Sequence, residues 1–153
     1  MTGDFLDTSA LAKRYHTEAG SAEIDRLWGE AGLSLFISRL AIVEIASVFG
    51  AKVRSGVVSY AEFESMRRRF MADVPKTKRI TVARVLGRHY LAAEKLLRVH
   101  APFRRLRALD ALQIAVALDL RRVGNVARVV SSDIDMLDVA AREGLDTFNP
   151  QKP

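Results

Sequence analysis

The sequence has no cysteine, few prolines and few aromatic side chains, and each shortage removes a class of protein. Without cysteine there is no disulfide scaffold, no thiolate site for zinc or an iron–sulfur cluster, and no thiol nucleophile. The four prolines, at 75, 102, 150 and 153, fall between or after periodic segments, and no internal repeat, low-complexity tract or Pro/Gly linker is present. The longest stretches free of Asp, Glu, Lys and Arg are eight residues, 31–38 and 111–118. A membrane span needs about 20. Three residues precede the first charged position, Asp4, which leaves no stretch for a signal peptide, and a soluble, cytoplasmic protein without a membrane partner is expected. What remains is 49% apolar and 27% charged, enough to bury a core, and 153 residues suit a single domain spanning 1–153.

Charge is unevenly distributed. Residues 65–107 hold thirteen Lys and Arg against two acids, Asp73 and Glu94, a net +11, and the remainder of the +6 chain is −5. A basic segment beside an acidic remainder points to a polyanion partner, nucleic acid before membrane; a solvated helical face is the plainer alternative.

Short apolar runs alternate with longer helical patterns. Phe5-Leu6, Leu33 to Ser38, Arg79 to Val82 and Arg128 to Ser131 read as strands, and Asp146-Thr147-Phe148 as an edge strand. Helices are expected after Asp7-Thr8-Ser9, over Ala41–Val53, from the capping box Ser59-Tyr60-Ala61-Glu62 to about Met71, up to about His100, over Arg107–Arg121, and over Ile134–Arg142 with Ser132 as N-cap and Gly144 as stop. That alternation implies an α/β fold with a parallel sheet covered on both faces, and ligands then bind at the carboxyl ends of the strands.

Four acids sit where burial argues against charge. Asp7 follows the first strand and Asp133 the fourth; Glu44 is the only charge between Arg39 and Lys52; Asp110 is the only charge in Ala108–Leu118. A buried lone carboxylate is costly unless paired, hydrogen-bonded or bound to a metal. Each has a structural reading too. Asp7 and Asp133 suit helix caps, Glu44 suits a helix edge, and Asp110 suits the positive end of a helix dipole. Converging on one end of the sheet, they would repel one another unless a divalent cation lay among them. Oxygen ligands alone favour Mg²⁺, with Mn²⁺ as a substitute, and such a cluster beside a basic surface suits phosphodiester hydrolysis.

The motifs around these acids carry a resemblance. Phe5-Leu6-Asp7-Thr8-Ser9-Ala10-Leu11, Arg39-Leu40-Ala41-Ile42-Val43-Glu44-Ile45 and Leu106 to Ala115 resemble the first three acidic motifs of PIN-domain ribonucleases. Val130 to Leu137, with Ala140-Ala141, Gly144-Leu145 and Asn149-Pro150, is similar to their closing segment. Order, spacing and length, over about residues 4–150, match the VapC toxins of bacterial VapBC toxin–antitoxin modules. The resemblance implies a three-layer α/β/α PIN-like domain with a central, mainly parallel sheet of four or five strands. It also implies a Mg²⁺-dependent endoribonuclease, a cognate VapB-type antitoxin and a homodimer. Asp7 and Asp110 would be the principal metal ligands, Glu44 and Asp133 would complete the catalytic pocket, and Thr8, Ser131 and Asp135 would support it.

Other residues fit a lesser role. Lys13 and Arg14 follow the first motif closely enough to touch substrate phosphate, and Arg67, Arg68 and Arg69 head the basic segment as candidate RNA contacts. Ser9 and Ser131 lack a nucleophile elbow, and no Gly-rich phosphate loop is present. His16, His89 and His100 read as surface or satisfied histidines, and Trp28 and Phe36 as core. Two rival readings stand: an aspartyl phosphatase, against which the Ser at position 9 counts, and a non-catalytic RNA-binding or protein-interaction module on the same fold.

Overall fold

The computed structural model describes residues 2–76 and 79–153, without the side chains of Pro75 and Lys76; Lys78 of the basic segment lies outside the described residues. Among the described residues five strands run β1 (Gly3–Leu6), β2 (Leu35–Ser38), β3 (Ile80–Ala83), β4 (Val126–Val130) and β5 (Asp146–Phe148). They pair in the order β3-β2-β1-β4-β5, every pairing parallel. Among the described residues seven helices cover the sheet: α1 (Thr8–Ala12), α2 (Ser21–Gly29), α3 (Leu40–Arg54), α4 (Tyr60–Lys76), α5 (Gly87–His100), α6 (Ala108–Arg122) and α7 (Ile134–Arg142). The fold is a three-layer α/β/α sandwich, and the edge strand at 146–148 completes the sheet as the fifth.

Because side chains alternate across a strand, neighbouring residues feed opposite layers. Leu6, Leu35, Ile37 and Val130 join Ala10, Leu11, Ile45, Phe49 and Phe70 in one core. Phe5, Phe36 and Val129 join Ala93, Leu96, Ile114, Met136 and Val139 in the other. Gly3 is required by close approach: a Cβ there would meet the Ser34 carbonyl oxygen at 2.6 Å and the Phe36 ring at 2.7 Å. Within the sheet, Asp4 is buried but receives Arg128 on both carboxylate oxygens, at 3.0 and 2.6 Å.

Three differences from the sequence reading have physical causes. Helix α2 went unread because its pattern is short, and Gly20, at φ +91°, offers no side-chain cap. Helix α4 continues past Met71 to Lys76, since nothing in Ala72-Asp73-Val74 breaks a helix, and it takes in Pro75, which the sequence reading had placed outside the periodic segments. The cap of α7 is Asp133 rather than Ser132: its carboxylate accepts from the Met136 N–H at 3.2 Å, and a carboxylate suits the positive helix end better than a hydroxyl does. Two of the three histidines are hydrogen-bonded, and His16 Nδ1 is buried without a hydrogen-bond partner. His89 Nδ1 accepts from the Leu86 N–H at 2.9 Å and Nε2 lies 2.9 Å from Asp119; His100 Nε2 lies 2.7 Å from Glu143; half-buried His16 lies 3.9 Å from Glu18.

Part of the basic segment serves the fold. Arg79 donates to the carbonyls of Leu27, Trp28, Glu30 and Leu33, gathering the exposed C-terminal acceptors of α2 and the turn after it. Replacing Arg79 with Met removes these bonds and leaves the Trp28 and Leu33 carbonyls without this donor, while Leu27 and Glu30 keep backbone N–H partners. The variant is expected to lose about 2–4 kcal/mol of stability. A urea midpoint equal to that of the parent protein would contradict the assignment.

Candidate functional site

The chain runs β1, β2, β3 across one half of the sheet and then returns to place β4 on the other side of β1, so the order reverses between β1 and β4. A crevice forms at the carboxyl ends of two such strands, because their crossovers depart in opposite directions. Asp7 follows β1 and Ser131-Ser132-Asp133 follows β4, so sequence and topology bring the first and last motifs to this point.

Asp7 is only 5% exposed. Its carboxylate accepts from the Ala10 N–H at 2.9 Å, capping α1, from Ser131 Oγ at 2.7 Å, and from Ser9 Oγ, which lies 2.8 and 3.0 Å from its two oxygens. Ser9 has one proton to give, so these groups supply three donors to about four lone-pair positions. Every one of these donors is neutral, in contrast to the guanidinium on Asp4. Burial therefore pushes the Asp7 pKa up from 3.8 to about 6, against the lowering effect of its hydrogen bonds, and the nearby Asp110 charge adds to the rise.

Glu44, on α3, is half-buried and its pKa is also raised, chiefly by burial, with Asp110 contributing and Arg107 opposing. Its Oε1 accepts from Gln113 Nε2 at 2.6 Å and from Thr8 Oγ1 at 3.3 Å. Asp110 lies in the first turn of α6, with Oδ2 at 3.3 Å from the Arg107 N–H and 3.4 Å from its Nε. Among the described residues, the second oxygen of each carboxylate has no protein donor. Between α3 and α6 opens a pocket of about 420 Å³ lined by Glu44, Ser47, Val48, Arg107, Ala108, Leu109 and Asp110.

The structure thus places Asp110 in electrostatic range of both Asp7 and Glu44. Asp133 joins them only indirectly: Ser131 Oγ donates to Asp7 and accepts from the Asp133 N–H at 3.0 Å, while the Asp133 carboxylate is occupied with its helix cap. Asp135 is half-buried in the first turn of α7. Among the candidate phosphate contacts, Lys13 is buried and paired with Glu18 at 3.3 Å, and Arg14 pairs with Asp25 at 2.7 Å with its guanidinium over the Trp28 ring. Arg67 and Arg68 are exposed on α4, and Arg69 donates to the Tyr15 carbonyl at 3.2 Å.

Two participants escaped the sequence reading. Ser9 orients Asp7, and buried Gln113 joins α6 to Glu44 and Thr8. The available signal for Gln113 was a lone amide one turn after Asp110 in an otherwise apolar run.

A divalent cation fits this donor set. Among the described residues no three of His, Asp and Glu form a ready-made cage. Mg²⁺ does not need one, since it keeps several waters and takes one or two carboxylates. A buried carboxylate with neutral donors, a remaining lone pair and a carboxylate neighbour has the chemistry such a ligand needs.

The sequence matches the PIN domain family over residues 5–142. No curated protein matches it. Its fold is similar to that of VapC20 from Mycobacterium tuberculosis, a Sarcin-Ricin loop cleaving toxin, with a TM-score of 0.66 and 19% identity over 94% of this chain and 96% of that one. It is similar to VapBC2 from Rickettsia felis, bound to a DNA fragment from their promoter, at 0.63 and 13% over 95% and 97%. It is also similar to FitAcB from Neisseria gonorrhoeae, at 0.60 and 13% over 96% and 97%.

The Asp7 geometry makes a pH-dependent prediction for the protein in chelator. With a folded pKa near 6 against 3.8, the native state holds the extra proton between those values, so stability falls as pH rises through that window and is lowest above it. Asp7→Asn keeps the cap, and the Ser9 and Ser131 hydroxyls rotate to accept from the new amide. The variant should exceed the parent by about 1–3 kcal/mol at pH 7.5. The gap should close as pH drops towards 4. A variant no more stable at pH 7.5, by urea titration, would refute the reading of Asp7 as a strained buried charge.

Proposed function

The chain belongs to the PIN-domain family, and from that premise we propose that it is a Mg²⁺-dependent endoribonuclease. We further propose that all 153 residues form one such domain, acting in the cytoplasm as the toxin of a type II toxin–antitoxin module. In this reading it works as a homodimer and is neutralised by a VapB-type antitoxin. The observation that carries the proposal is Asp7: a buried carboxylate at the switch point of the sheet, held by neutral donors alone and raised further by Asp110, whose charge also reaches Glu44.

Asp7 and Asp110 would hold the cation, with Glu44 and Asp133 completing the acidic pocket. A divalent cation supplies charge neutralisation at the phosphate and acidifies a bound water. The chain's own contributions are positional. Ser9 and Ser131 fix the Asp7 oxygens, Thr8 fixes Glu44, and Asp135 adds negative charge beside the last acid. The pocket between α3 and α6 gives RNA an open approach to Glu44 and Asp110, with exposed Arg107 at its edge to meet phosphate. Exposed Arg67 and Arg68 extend basic surface along α4; Lys13, Arg14 and Arg69 would need to exchange their present partners to reach RNA.

Purified protein should cleave RNA in Mg²⁺ or Mn²⁺ and lose that activity in chelator or as Asp7→Asn. RNA binding without cleavage by the parent protein would support a non-catalytic module instead.

Salt dependence separates backbone binding from chemistry. Each phosphate contact to single-stranded RNA adds about −0.7 to the slope of log K against log salt. Changing Arg67 and Arg68 to Gln should flatten it by about 1.4 with turnover at saturating RNA retained. An unchanged slope would assign this face to solvent or to a protein partner.

A further inference from the structure

We infer that Gln113 is a positioning residue for the metal site: its side-chain amide holds Glu44 from across the sheet, a role that rests on the nuclease reading above. Gln113 is 2% exposed on α6, one turn beyond Asp110. Its Nε2 donates one hydrogen to Glu44 Oε1 at 2.6 Å and the other to Thr8 Oγ1 at 3.0 Å, and Thr8 in turn lies 3.3 Å from the same Glu44 oxygen. The three residues come from α6, α3 and α1, so this closed triangle links helices of both layers above the carboxyl edge of the sheet.

The orientation of the amide is determined by its neighbour. Turned over, Oε1 would lie 2.6 Å from a carboxylate oxygen, two acceptors face to face. In the observed orientation Oε1 is instead buried with no hydrogen-bond partner. An orphaned buried acceptor costs about 1–3 kcal/mol, and an apolar side chain of the same shape would avoid it. Packing alone therefore does not account for glutamine in the run Ala111–Leu118, whose other members are all apolar. What the amide adds is confinement of Glu44: both donors fall on Oε1, so Oε2 is left free and its direction is set. Groups that hold a metal-ligating carboxylate through its second oxygen typically change affinity 10–100-fold when removed.

The test is Mn²⁺ affinity, followed by electron paramagnetic resonance on the full chain without RNA, together with thermal melting. Gln113→Met fills the same space without the donors or the orphaned oxygen. Its melting temperature in chelator should equal or exceed that of the parent, while Mn²⁺ binds about tenfold more weakly. In a Glu44→Ala background the same substitution should leave Mn²⁺ affinity unchanged, because nothing remains for the amide to hold. If methionine disturbs folding, Gln113→Asn, too short to reach Glu44, gives the same readout. A lower melting temperature with unaltered Mn²⁺ affinity would make Gln113 purely structural and overturn the inference, leaving the nuclease reading intact. A tenfold loss that persists without Glu44 would also overturn it. Absence of Mn²⁺ binding by the parent protein would overturn the metal reading itself, and this inference with it.

Discussion

A carboxylate buried beside another carboxylate, with no basic side chain bonded to it, is the constraint around which the carboxyl edge of this sheet is built. Asp7 is as buried as Asp4, three residues earlier on β1, but opposite in treatment. Asp4 receives a bidentate guanidinium; Asp7 receives an amide and two hydroxyls. Neutral donors reduce the desolvation penalty without cancelling the charge, so the site retains a negative field into which a cation can come. Three elements must be in register for this: β1 delivers Asp7, α1 delivers Ser9 and the Ala10 N–H, and β4 delivers Ser131.

The capping roles of Asp7 and Asp133 do not compete with a role in the site. A carboxylate has two oxygens and about four acceptor positions, and a helix cap uses one. The same short strand-to-helix turns that need a cap follow β1 and β4, the two strands at which the sheet order reverses. A helix cap and the proposed metal site would therefore ask for the same residue type, although the Asp133 carboxylate is tied to the others only through Ser131.

The basic segment is divided by the fold. Arg79 closes the end of α2, Arg88 pairs with Asp119, Arg98 with Glu94 and Arg104 with Asp138, whereas Arg67, Arg68 and Arg107 remain exposed. A net +11 along the sequence thus becomes several local balances in space. Any field felt by a polyanion comes from the exposed remainder and not from the whole count.

Strand and helix alternation, the two acids at strand ends and the two in apolar helices were legible in the sequence, because burial imposes a period on side chains and makes an isolated charge conspicuous. The fifth strand and the capping box at Ser59 and Glu62 were legible for the same local reason, and both oxygen–amide bonds of that box are made, at 2.6 and 3.1 Å. The partners of those acids were not. Gln113 reaches Thr8 across 105 positions and Ser131 reaches Asp7 across 124, and no local period records such a contact. Whether Lys13 meets solvent or Glu18, and whether Arg79 faces a phosphate or four carbonyls, was likewise decided by packing. Periodicity fixes which face of an element is buried; only the assembled layers decide which polar groups meet there, since a hydrogen bond depends on positions within tenths of an ångström that distant segments supply together.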